Sequence, residues 1–435
     1  MWNHHLRLLI TNLLCLCIFS PLAEAATLNP TEITIRDDAM KSEHAQILLL
    51  KKLVNINSGT TNIAGVYRTG KIVRAQLKQL GFKTKWIYEP AEMHKAPTLV
   101  AERKSKQGAR LLLIGHLDTV FAPNATFKLF ERKKETAKGP GSVDAKGGVV
   151  VMLYALKALQ AAHQLDNTTI TIVLTGDEEA SGKPTSISRK PLFAAAQDSD
   201  IALDFEPGVS LETVTIARRG IEQWVITVKG NESHSASIFA KDVGDGAIFE
   251  LARILNTMRT QLQNETSLSF NPGIVLGGTK IDFNNKTSNG TIFGKENVVA
   301  KAALAKGDLR FISEEQKQAI ENKIRDIVKD NLPGTSATIY FENGIPAMQA
   351  TEKSLKLLQD YSAVSEALGG KAIRPVDPVI RGAADISHIA AIVPANLSGL
   401  GPTGMGPHSI IETVDLSSLP LQTARTAILI YRLTR

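Results

Sequence analysis

The stretch TTITIVLTGDEE, residues 168–179, decides the fold of this chain. Its central apolar run, residues 170–174, is rich in β-branched side chains and predicts a strand buried inside a sheet. Three consecutive acids, Asp177, Glu178 and Glu179, follow the run. Open α/β sheets bind ligands beyond the carboxyl ends of their strands, and adjacent carboxylates repel each other unless a cation is near. The stretch indicates a cation site, although in isolation it also fits a plain polar exit from a strand.

The whole chain has the size and composition of a globular protein with two domains. Its 435 residues exceed one ordinary core. A hydrophobic content of 43% and an aromatic content of 5% exclude fibrous and disordered classes. The net charge of +7 comes from scattered basic residues, without the aromatic-interleaved basic stripe typical of nucleic-acid binding. This charge favours anionic substrates or simply a solvated surface.

The N-terminus resembles a secretory signal peptide. Basic residues precede an apolar run, residues 8–22, which ends in the small-residue sequence Ala23-Glu24-Ala25-Ala26. We therefore predict a signal peptide over residues 1–25 and export to the periplasm or medium, with no stable membrane insertion after cleavage. A retained anchor is the alternative, but the apolar run is short for a spanning helix. Both cysteines, Cys15 and Cys17, lie in this segment, so the mature chain offers only oxygen and nitrogen metal ligands.

The pattern of strands and helices divides the rest of the chain. Strands alternate with helices over residues 26–217 and again over 343–435, which predicts an α/β domain with a mixed, mostly parallel sheet sandwiched by helices. Between them, residues 218–342 predict an inserted α+β domain with helices on one face of an antiparallel sheet. Within the insert we expect separate strands at 298–303 and 308–311.

Several loops carry histidine, aspartate or glutamate, the types of side chain that commonly bind metals. Four of these loops follow predicted strands or a glycine-rich turn, and a fifth lies near the C-terminus. The candidate residues are His116, Asp118, Asp144, Glu178, Glu179, Glu206 and His408. A set of carboxylates and imidazoles suits zinc, or manganese or cobalt in its place. Two metals about 3.5–4 Å apart need one bridging carboxylate, and such pairs activate water.

These motifs occur together in one known family. The order and spacing of the motifs resemble the M20 metallopeptidases, in particular the glutamate carboxypeptidase (carboxypeptidase G2-like) branch. The resemblance runs from about residue 40 to the end of the chain. The motifs are His116-x-Asp118, Gly139-Pro-Gly-x-x-Asp144-x-Lys-Gly-Gly148, Glu178-Glu179, Phe205-Glu206-Pro207 and His408-Ser409. Each motif alone is weak, but the set is specific.

The resemblance implies a two-zinc site, in which cobalt or manganese can substitute. Asp144 would bridge the two ions. His116 and Glu206 would complete one zinc site, and Glu179 and His408 the other.

The resemblance also implies roles for two further carboxylates. Asp118 would hydrogen-bond the far nitrogen of His116 and fix its tautomer, unless it is a buried acid with a purely structural task. Glu178 would be the general base, taking a proton from water and returning it to the leaving amine. The peptide bond from Asp144 to Ala145 would be cis.

The inserted domain resembles the lid and dimerisation domain of the family, which implies a homodimer. His234, in the sequence Gly-Asn-Glu-Ser-His-Ser, would stabilise the oxyanion, in its own site or in that of the partner subunit. Asn297 and Arg310 match lid residues that hold the substrate carboxylate, for which a guanidinium fork is well suited. A structural ion pair is the alternative for Arg310.

Two positions depart from the family pattern. The usual Gly-Gly-(Ser/Thr)-Asp-like loop is replaced by Arg381-Gly382-Ala383-Ala384-Asp385, and we expect Arg381 to add a contact to a substrate carboxylate. Ile345 stands where related glutamate-specific enzymes can carry arginine, which weakens the case for release of an acidic residue.

The resemblance therefore implies an exported di-zinc hydrolase that cleaves an amide next to a free carboxylate. It would release a C-terminal amino acid such as glutamate from peptides or N-acyl amino acids. A dipeptidase or N-acyl-amino-acid deacylase of the same fold is the alternative, and a metal-binding non-enzyme is a third reading. A serine or cysteine hydrolase is excluded, because the mature chain has neither a cysteine nor a Gly-x-Ser-x-Gly elbow.

Overall fold

The computed structural model describes residues 27–105, 108–127, 129–285 and 287–435. The predicted signal peptide, residues 1–25, lies outside the described residues. Among the helices of those ranges, none has the length and apolar character needed to cross a membrane.

The helices and strands alternate along most of the chain. In the described ranges the helices are α1 Pro30–Lys41, α2 Glu43–Val54, α3 Ile63–Gln79, α4 Lys146–Ala161, α5 Thr185–Ser188, α6 Lys190–Gln197, α7 Ala247–Leu262, α8 Glu314–Lys329, α9 Glu352–Ala367, α10 Asp385–Ile389 and α11 Ser418–Leu433. The strands there are β1 Lys83–Ile87, β2 Thr98–Arg103, β3 Arg110–His116, β4 Glu131–Lys133, β5 Thr136–Lys138, β6 Thr169–Thr175, β7 Ile201–Asp204, β8 Thr213–Val214, β9 Gly220–Lys229, β10 Ser269–Gly278, β11 Lys280–Asn284, β12 Asn289–Phe293, β13 Ala302–Phe311, β14 Ser336–Ile345, β15 Arg374–Pro375, β16 Ala395–Ser398, β17 Gly404–Met405 and β18 Thr413–Asp415.

The largest sheet has six strands in the order β1-β2-β6-β3-β7-β16. The four strands β6, β3, β7 and β16 are parallel, and β1 and β2 add an antiparallel edge. This confirms the predicted mixed, mostly parallel sheet. Strand β16 was not predicted, because its sequence Ala-Asn-Leu-Ser carries no apolar run.

Helices cover both faces of this sheet, as the apolar strands require. Side chains alternate along β3, so Leu111 and Leu113 pack in one hydrophobic cluster while Leu112 and Ile114 pack in another. The first cluster includes residues of α4 and α11, and the second includes residues of α6 and α10. The sheet is therefore a rigid layer whose loops emerge at its edges.

Helix α1 was also missed, although its start carries a clear signal. The side chain of Asn29 accepts a hydrogen bond from the backbone of Glu32, and Glu32 accepts one from the backbone of Asn29. This capping box, followed by Pro30 at the first helical position, is a standard helix-start pattern.

The second sheet is antiparallel, with the order β10-β13-β9-β14. Helices α7 and α8 share a separate hydrophobic core with it, which includes Trp224 and Leu309. This agrees with the predicted α+β insert. Its last strand, β14, runs on to Ile345, three residues past the predicted boundary at 342. The two sheets thus have separate hydrophobic cores, and the division of the chain near residues 218 and 343 stays a prediction.

The prediction of two strands at 298–303 and 308–311 was wrong. A single strand, β13, spans Ala302–Phe311 and pairs with β9 without interruption. The sequence Ala-Lys-Gly-Asp suggested a break, but Gly307 is required by packing. A Cβ atom at Gly307 would lie 2.4 Å from the Trp224 ring, so the glycine leaves room for the indole.

Candidate metal centre

The first half of the centre is built on adjacent strands of the parallel sheet. His116 is the last residue of β3, and Glu206 follows the end of the neighbouring strand β7. The His116 Nε2 atom lies 3.2 Å from Oδ1 of Asp144 and 3.4 Å from Oε1 of Glu206. Asp144 itself lies two residues before the start of α4, and its peptide bond to Ala145 is cis.

The second half uses the other oxygen of the same aspartate. The Nε2 atom of His408 lies 3.2 Å from Oδ2 of Asp144 and 3.0 Å from Oε2 of Glu179. Each oxygen of Asp144 thus faces a different imidazole. The structure therefore brings together all five residues that the sequence nominated as metal ligands.

The spacing of these atoms fits divalent cations. Two ligand atoms bound tetrahedrally to one zinc at its usual bond lengths lie about 3.3 Å apart. The four nitrogen–oxygen distances given above are of this size. The second oxygen of Glu179, Oε1, is buried and has no hydrogen-bond partner among the described residues. A donor set of imidazoles and carboxylates with such an unsatisfied oxygen suits zinc.

The electrostatics of the centre lead to the same conclusion. Burial opposes a charge on His116, yet hydrogen bonds with the carboxylates of Asp118, Asp144 and Glu206 raise its pKa well above the usual value. On His408, hydrogen bonds with Asp144 and Glu179 raise the pKa to about 11. So much negative charge around two imidazoles is what a pair of cations would neutralise.

Asp118 lies behind His116, where the sequence analysis placed it. Its Oδ1 atom is 3.3 Å from Nδ1 of His116 and accepts a hydrogen bond from the backbone N–H of Glu178. Its Oδ2 atom accepts from the Thr60 hydroxyl at 2.6 Å and from the backbone of Glu179. Burial opposes ionisation, but contacts with His116 and Thr60 hold the pKa of Asp118 below its usual value. This carboxylate therefore orients one ligand and anchors the loop that carries two other functional residues.

Glu178 differs from the acids on either side of it. Asp177 and Glu179 each form an ion pair, whereas Glu178 forms none among the described residues. No ion pair joins its carboxylate to a histidine among the described residues, whereas Glu179 pairs with His408. Desolvation, followed by repulsion from the Glu206 carboxylate, raises the pKa of Glu178 well above its usual range. A carboxylate that binds protons strongly and lies beside the metal ligands can accept and return one.

Known proteins similar to this chain identify its family. Residues 112–432 match Peptidase family M20/M25/M40. The chain belongs to this family. It is a metallopeptidase or amidohydrolase, and the resemblance inferred from its motifs is confirmed.

Relatives within and around this family differ in the reaction that their names state. The chain is 29% identical to carboxypeptidase G2 of Pseudomonas sp. (strain RS-16), over 90% of either chain. It is 28% identical to a succinyl-diaminopimelate desuccinylase of Acidiphilium cryptum, covering 80% of this chain and 88% of the relative. A dinuclear metal-binding M20 peptidase of Bacillus subtilis has the same fold, with a TM-score of 0.63 at 14% identity, over 91% of this chain and 99% of its own.

One carboxylate that anchors the loop of Asp144 in this M20 chain was missed from the sequence. Glu412 is fully buried and accepts hydrogen bonds from the backbone N–H groups of Gly141, Val143 and Asp144, at 2.9, 2.9 and 3.0 Å. It lies four residues after His408, so it ties the loops of two ligands together. The available signal was weak, because a single glutamate after His408 does not indicate a distant partner.

The first acid of the 177–179 triplet points away from the metal centre. Asp177 forms a buried ion pair with Arg189, whose Nε atom also donates to Asp385 at 2.6 Å. Arg189 additionally donates to the Ser181 hydroxyl at 2.7 Å. This network of buried contacts fixes the loop that carries Glu178. Arg189 was not predicted from the sequence, because it stands in an ordinary basic pair with Lys190.

The residues nominated in the inserted domain lie apart from the metal centre. His234 and Asn297 are exposed neighbours, because the N–H of Ser235 donates to the carbonyl of Asn297. The Nδ1 atom of His234 accepts from the N–H of Ala236 at 3.1 Å, so the ring proton sits on Nε2, which can donate. Neither side chain contacts a metal-ligand residue within the described ranges.

Arg310 has a partner of its own in the lid. Its Nε atom donates to Asp308 at 3.1 Å, and both side chains are about one-third exposed. This contact is the structural ion pair that the sequence analysis left open. A partly exposed pair of this kind leaves the guanidinium free to rearrange towards a ligand.

Arg381 lies next to the metal centre. Its Nη2 atom donates to the carbonyl of Pro207, the residue after Glu206, at 3.4 Å. Burial, followed by repulsion from Arg218, lowers the pKa of Arg381 to about 10, so the side chain stays charged at neutral pH. The structure thus places this nominated residue at the site.

Proposed function

We propose that this chain is a two-zinc hydrolase that cleaves an amide bond next to a free carboxylate. Its product is a C-terminal amino acid such as glutamate, released from a peptide or an N-acyl amino acid. The observation that carries this proposal is the carboxylate of Asp144. Each of its oxygens faces a separate histidine–carboxylate pair, as a bridging ligand between two cations would.

Five side chains would hold the two zinc ions. His116 and Glu206 would hold one zinc, Glu179 and His408 the other, and Asp144 both. When bound, the ions supply Lewis-acid polarisation of a carbonyl and lower the pKa of water. A hydrogen bond donated by the Nδ1–H of His116 to Asp118 would leave Nε2, the metal-facing nitrogen, to bind an ion.

Two residues would handle the proton and the developing negative charge. Glu178 takes the proton from the attacking water and delivers it to the amine as the amide breaks. His234 donates from Nε2 to the carbonyl oxygen as that oxygen becomes negative, once the lid or a partner subunit brings it near. The tautomer set by Ala236 supports this role.

The lid supplies groups that suit a carboxylate. Arg310 and Asn297 lie on the inserted domain, and we propose that they bind the carboxylate next to the scissile amide. The similarity to carboxypeptidase G2 over 90% of the chain supports release of a C-terminal residue. The similarity to a succinyl-diaminopimelate desuccinylase favours a second candidate, an N-acyl-amino-acid deacylase, and dipeptide hydrolysis is a further variant of the same chemistry.

The test is the release of free amino acids from a panel of N-acyl amino acids and dipeptides. The protein would be assayed with zinc, after chelation, and after zinc, cobalt or manganese is restored. We expect turnover to vanish on chelation and to return with zinc. Release from N-acyl glutamates and C-terminal glutamyl peptides would support the carboxypeptidase reading. Activity confined to dipeptides with a free amino group would favour the dipeptidase, and inactivity of metal-loaded protein would contradict the proposal.

We also propose that the protein is exported. This rests on the sequence of residues 1–25 alone, which has the basic, apolar and small-residue parts of a signal peptide. A C-terminally tagged chain should be recovered outside the cytoplasm with Ala26 at its N-terminus, as read by mass spectrometry. Recovery from the cytoplasm with Met1 or Trp2 at the N-terminus would contradict export.

We further propose a homodimer formed through the lid. The edge strand β10 and the adjacent helix α7 expose apolar side chains, among them Ile248, Phe249 and Val275. Such a strip beside an unpaired strand edge suits two-fold pairing with a second copy. Light scattering should give twice the monomer mass for the wild type. For Phe249→Asp it should give the mass of one monomer. Tyr340→Asp, on the opposite edge strand β14, is the matched control and should leave the dimer intact.

A further inference from the structure

A charged side chain beside the metal centre has no partner of opposite charge. Arg381 is mostly buried, and its guanidinium carries five N–H donors. Among the described residues it makes one side-chain hydrogen bond, the long one to the carbonyl of Pro207, and its Nε atom is buried without a partner. No carboxylate of those residues lies within ion-pair distance of it. A buried unpaired cation is costly, which indicates that something else completes the site.

The nearby acids cannot serve as that partner. Arg218 already lies between Asp204 and Glu206, at 3.7 Å from an oxygen of each. Arg218 also donates to the Ser398 hydroxyl and to the carbonyl of Gly382, the residue next to Arg381. Glu206 belongs to the metal ligands, so its charge is shared with a cation when metal is bound. Arg381 is therefore a second positive charge beside the metal centre, and unlike Arg218 it has no carboxylate partner among the described residues.

The loop of Arg381 faces the lid. Arg219, at the start of the insert, donates to the carbonyl of Val379 at 2.8 Å, two residues before Arg381. Arg219 also lies close enough to Arg310 for the two guanidiniums to repel each other. Two guanidiniums, Arg310 on the inserted domain and Arg381 on the central domain, thus belong to segments that both lie beside Arg219. One carboxylate does not need both of them.

We propose that Arg381 forms a second anion subsite, which binds a substrate carboxylate other than the one next to the scissile amide. The inference rests on the proposed function, because it assigns Arg310 and Asn297 to that first carboxylate. The substrate is then a dicarboxylic compound. Its second carboxylate belongs either to the side chain of the released residue or to the acyl group, and a guanidinium fork suits both. Arg381 would then do the work of the arginine that related glutamate-specific enzymes can carry at the position of Ile345.

The test compares substrates that differ in this one charge. N-acetyl-glutamate is paired with N-acetyl-glutamine, and N-succinyl-alanine with its terminal amide, N-succinamoyl-alanine. For each pair, the ratio of kcat/KM for the acid to kcat/KM for the amide is measured in the wild type and in Arg381→Gln. We expect one ratio to fall by about 10- to 100-fold, the size of a lost charge-assisted contact. The pair that responds identifies the source of the carboxylate.

Two further variants keep the result specific. Arg381→Lys retains the charge without the fork and should give an intermediate ratio. Arg374→Gln removes an arginine whose side chain is 74% exposed, and it should leave both ratios within about twofold. Zinc content is measured for every variant, so that a loss of metal is not mistaken for a loss of substrate binding.

Ligand binding separates this inference from the proposed function. Zinc-loaded protein is titrated calorimetrically with glutarate and with its monoamide, glutaramate. If no substrate is hydrolysed, the proposed function fails, but a glutarate preference that Arg381→Gln abolishes still supports the subsite. Unchanged ratios together with an unchanged glutarate preference would overturn it. Equal losses on all four substrates would also overturn it, because Arg381 would then hold the shared carboxylate.

Discussion

The metal centre and the lid hold their functional side chains in different ways. In the metal centre, Asp118 and Glu412 are fully buried and each accepts several hydrogen bonds from the loops that carry the ligands. In the lid, His234 and Asn297 are exposed, and their local hydrogen bonds run through the backbone and to Nδ1 of His234. The centre is thus held by buried hydrogen bonds between its loops, whereas the nominated lid residues are held only by local, exposed ones.

This difference has a physical cause. The carboxyl ends of parallel strands converge at one edge of the sheet, so β3, β6 and β7 bring their loops together without further adjustment. The lid is a separate sheet with its own core, so its position relative to the centre is set by a smaller interface. Motion of such a domain gates many enzymes. Substitutions in the two regions should therefore act on different measurable quantities.

The largest effect is expected for the proposed base. Glu178→Gln keeps the size of the side chain but removes the group that accepts the proton. We expect kcat to fall by about 10²- to 10⁴-fold. Zinc content, measured by elemental analysis, should stay at the wild-type value, because Glu178 pairs with no ligand histidine in the described ranges. Substantial turnover in this variant would remove Glu178 as the base.

His234 should show the corresponding effect in the lid. His234→Ala removes the proposed oxyanion donor, so we expect kcat to fall by about 10²- to 10³-fold with zinc binding unaltered. His44→Ala, an exposed histidine on α2, serves as the control and should behave as the wild type. If KM alone changes in His234→Ala, the residue binds substrate and does not stabilise the oxyanion.

A substitution at Glu412 tests whether the buried hydrogen bonds around the loop of Asp144 contribute to zinc affinity. Glu412→Gln replaces one acceptor oxygen by an amide N–H₂ that faces backbone donors, which loosens the loop of Asp144. We expect zinc affinity, measured by chelator competition, to weaken by about 10- to 100-fold. Glu131→Gln, on the exposed strand β4, should leave it unchanged. Wild-type affinity in Glu412→Gln would show that the loop holds its shape without this carboxylate.

The smallest effect is expected where the two regions touch. Lys183, in the loop that follows Glu178, pairs with Glu342 on the lid strand β14, and both side chains are exposed. A double-mutant cycle with Lys183→Met and Glu342→Gln should give a coupling of about 0–1 kcal/mol in the free energy of unfolding. The coupling should shrink in high salt. A larger value that resists salt would mean that the lid is fixed more firmly than its exposed contacts suggest.

The sequence by itself determined the family, the two sheets and the metal-ligand candidates. These are local signals, since a strand of apolar residues and the polar residue that ends it are neighbours in the chain. His116, Glu179 and Glu206 were found in this way, because His116 ends one strand of the large sheet and the other two follow neighbouring strands. The roles proposed for these side chains came from the resemblance to the M20 family.

Only the tertiary structure decided that Asp177 and Glu412 are buried supports and not metal ligands. Asp177 stands beside Glu178 in the chain, yet it turns inward to Arg189. Glu412 anchors Gly141 from 271 residues away. The surplus charge of Arg381 likewise became visible only once its neighbours were known. Burial and pairing depend on contacts between distant segments, and a linear pattern does not specify such contacts.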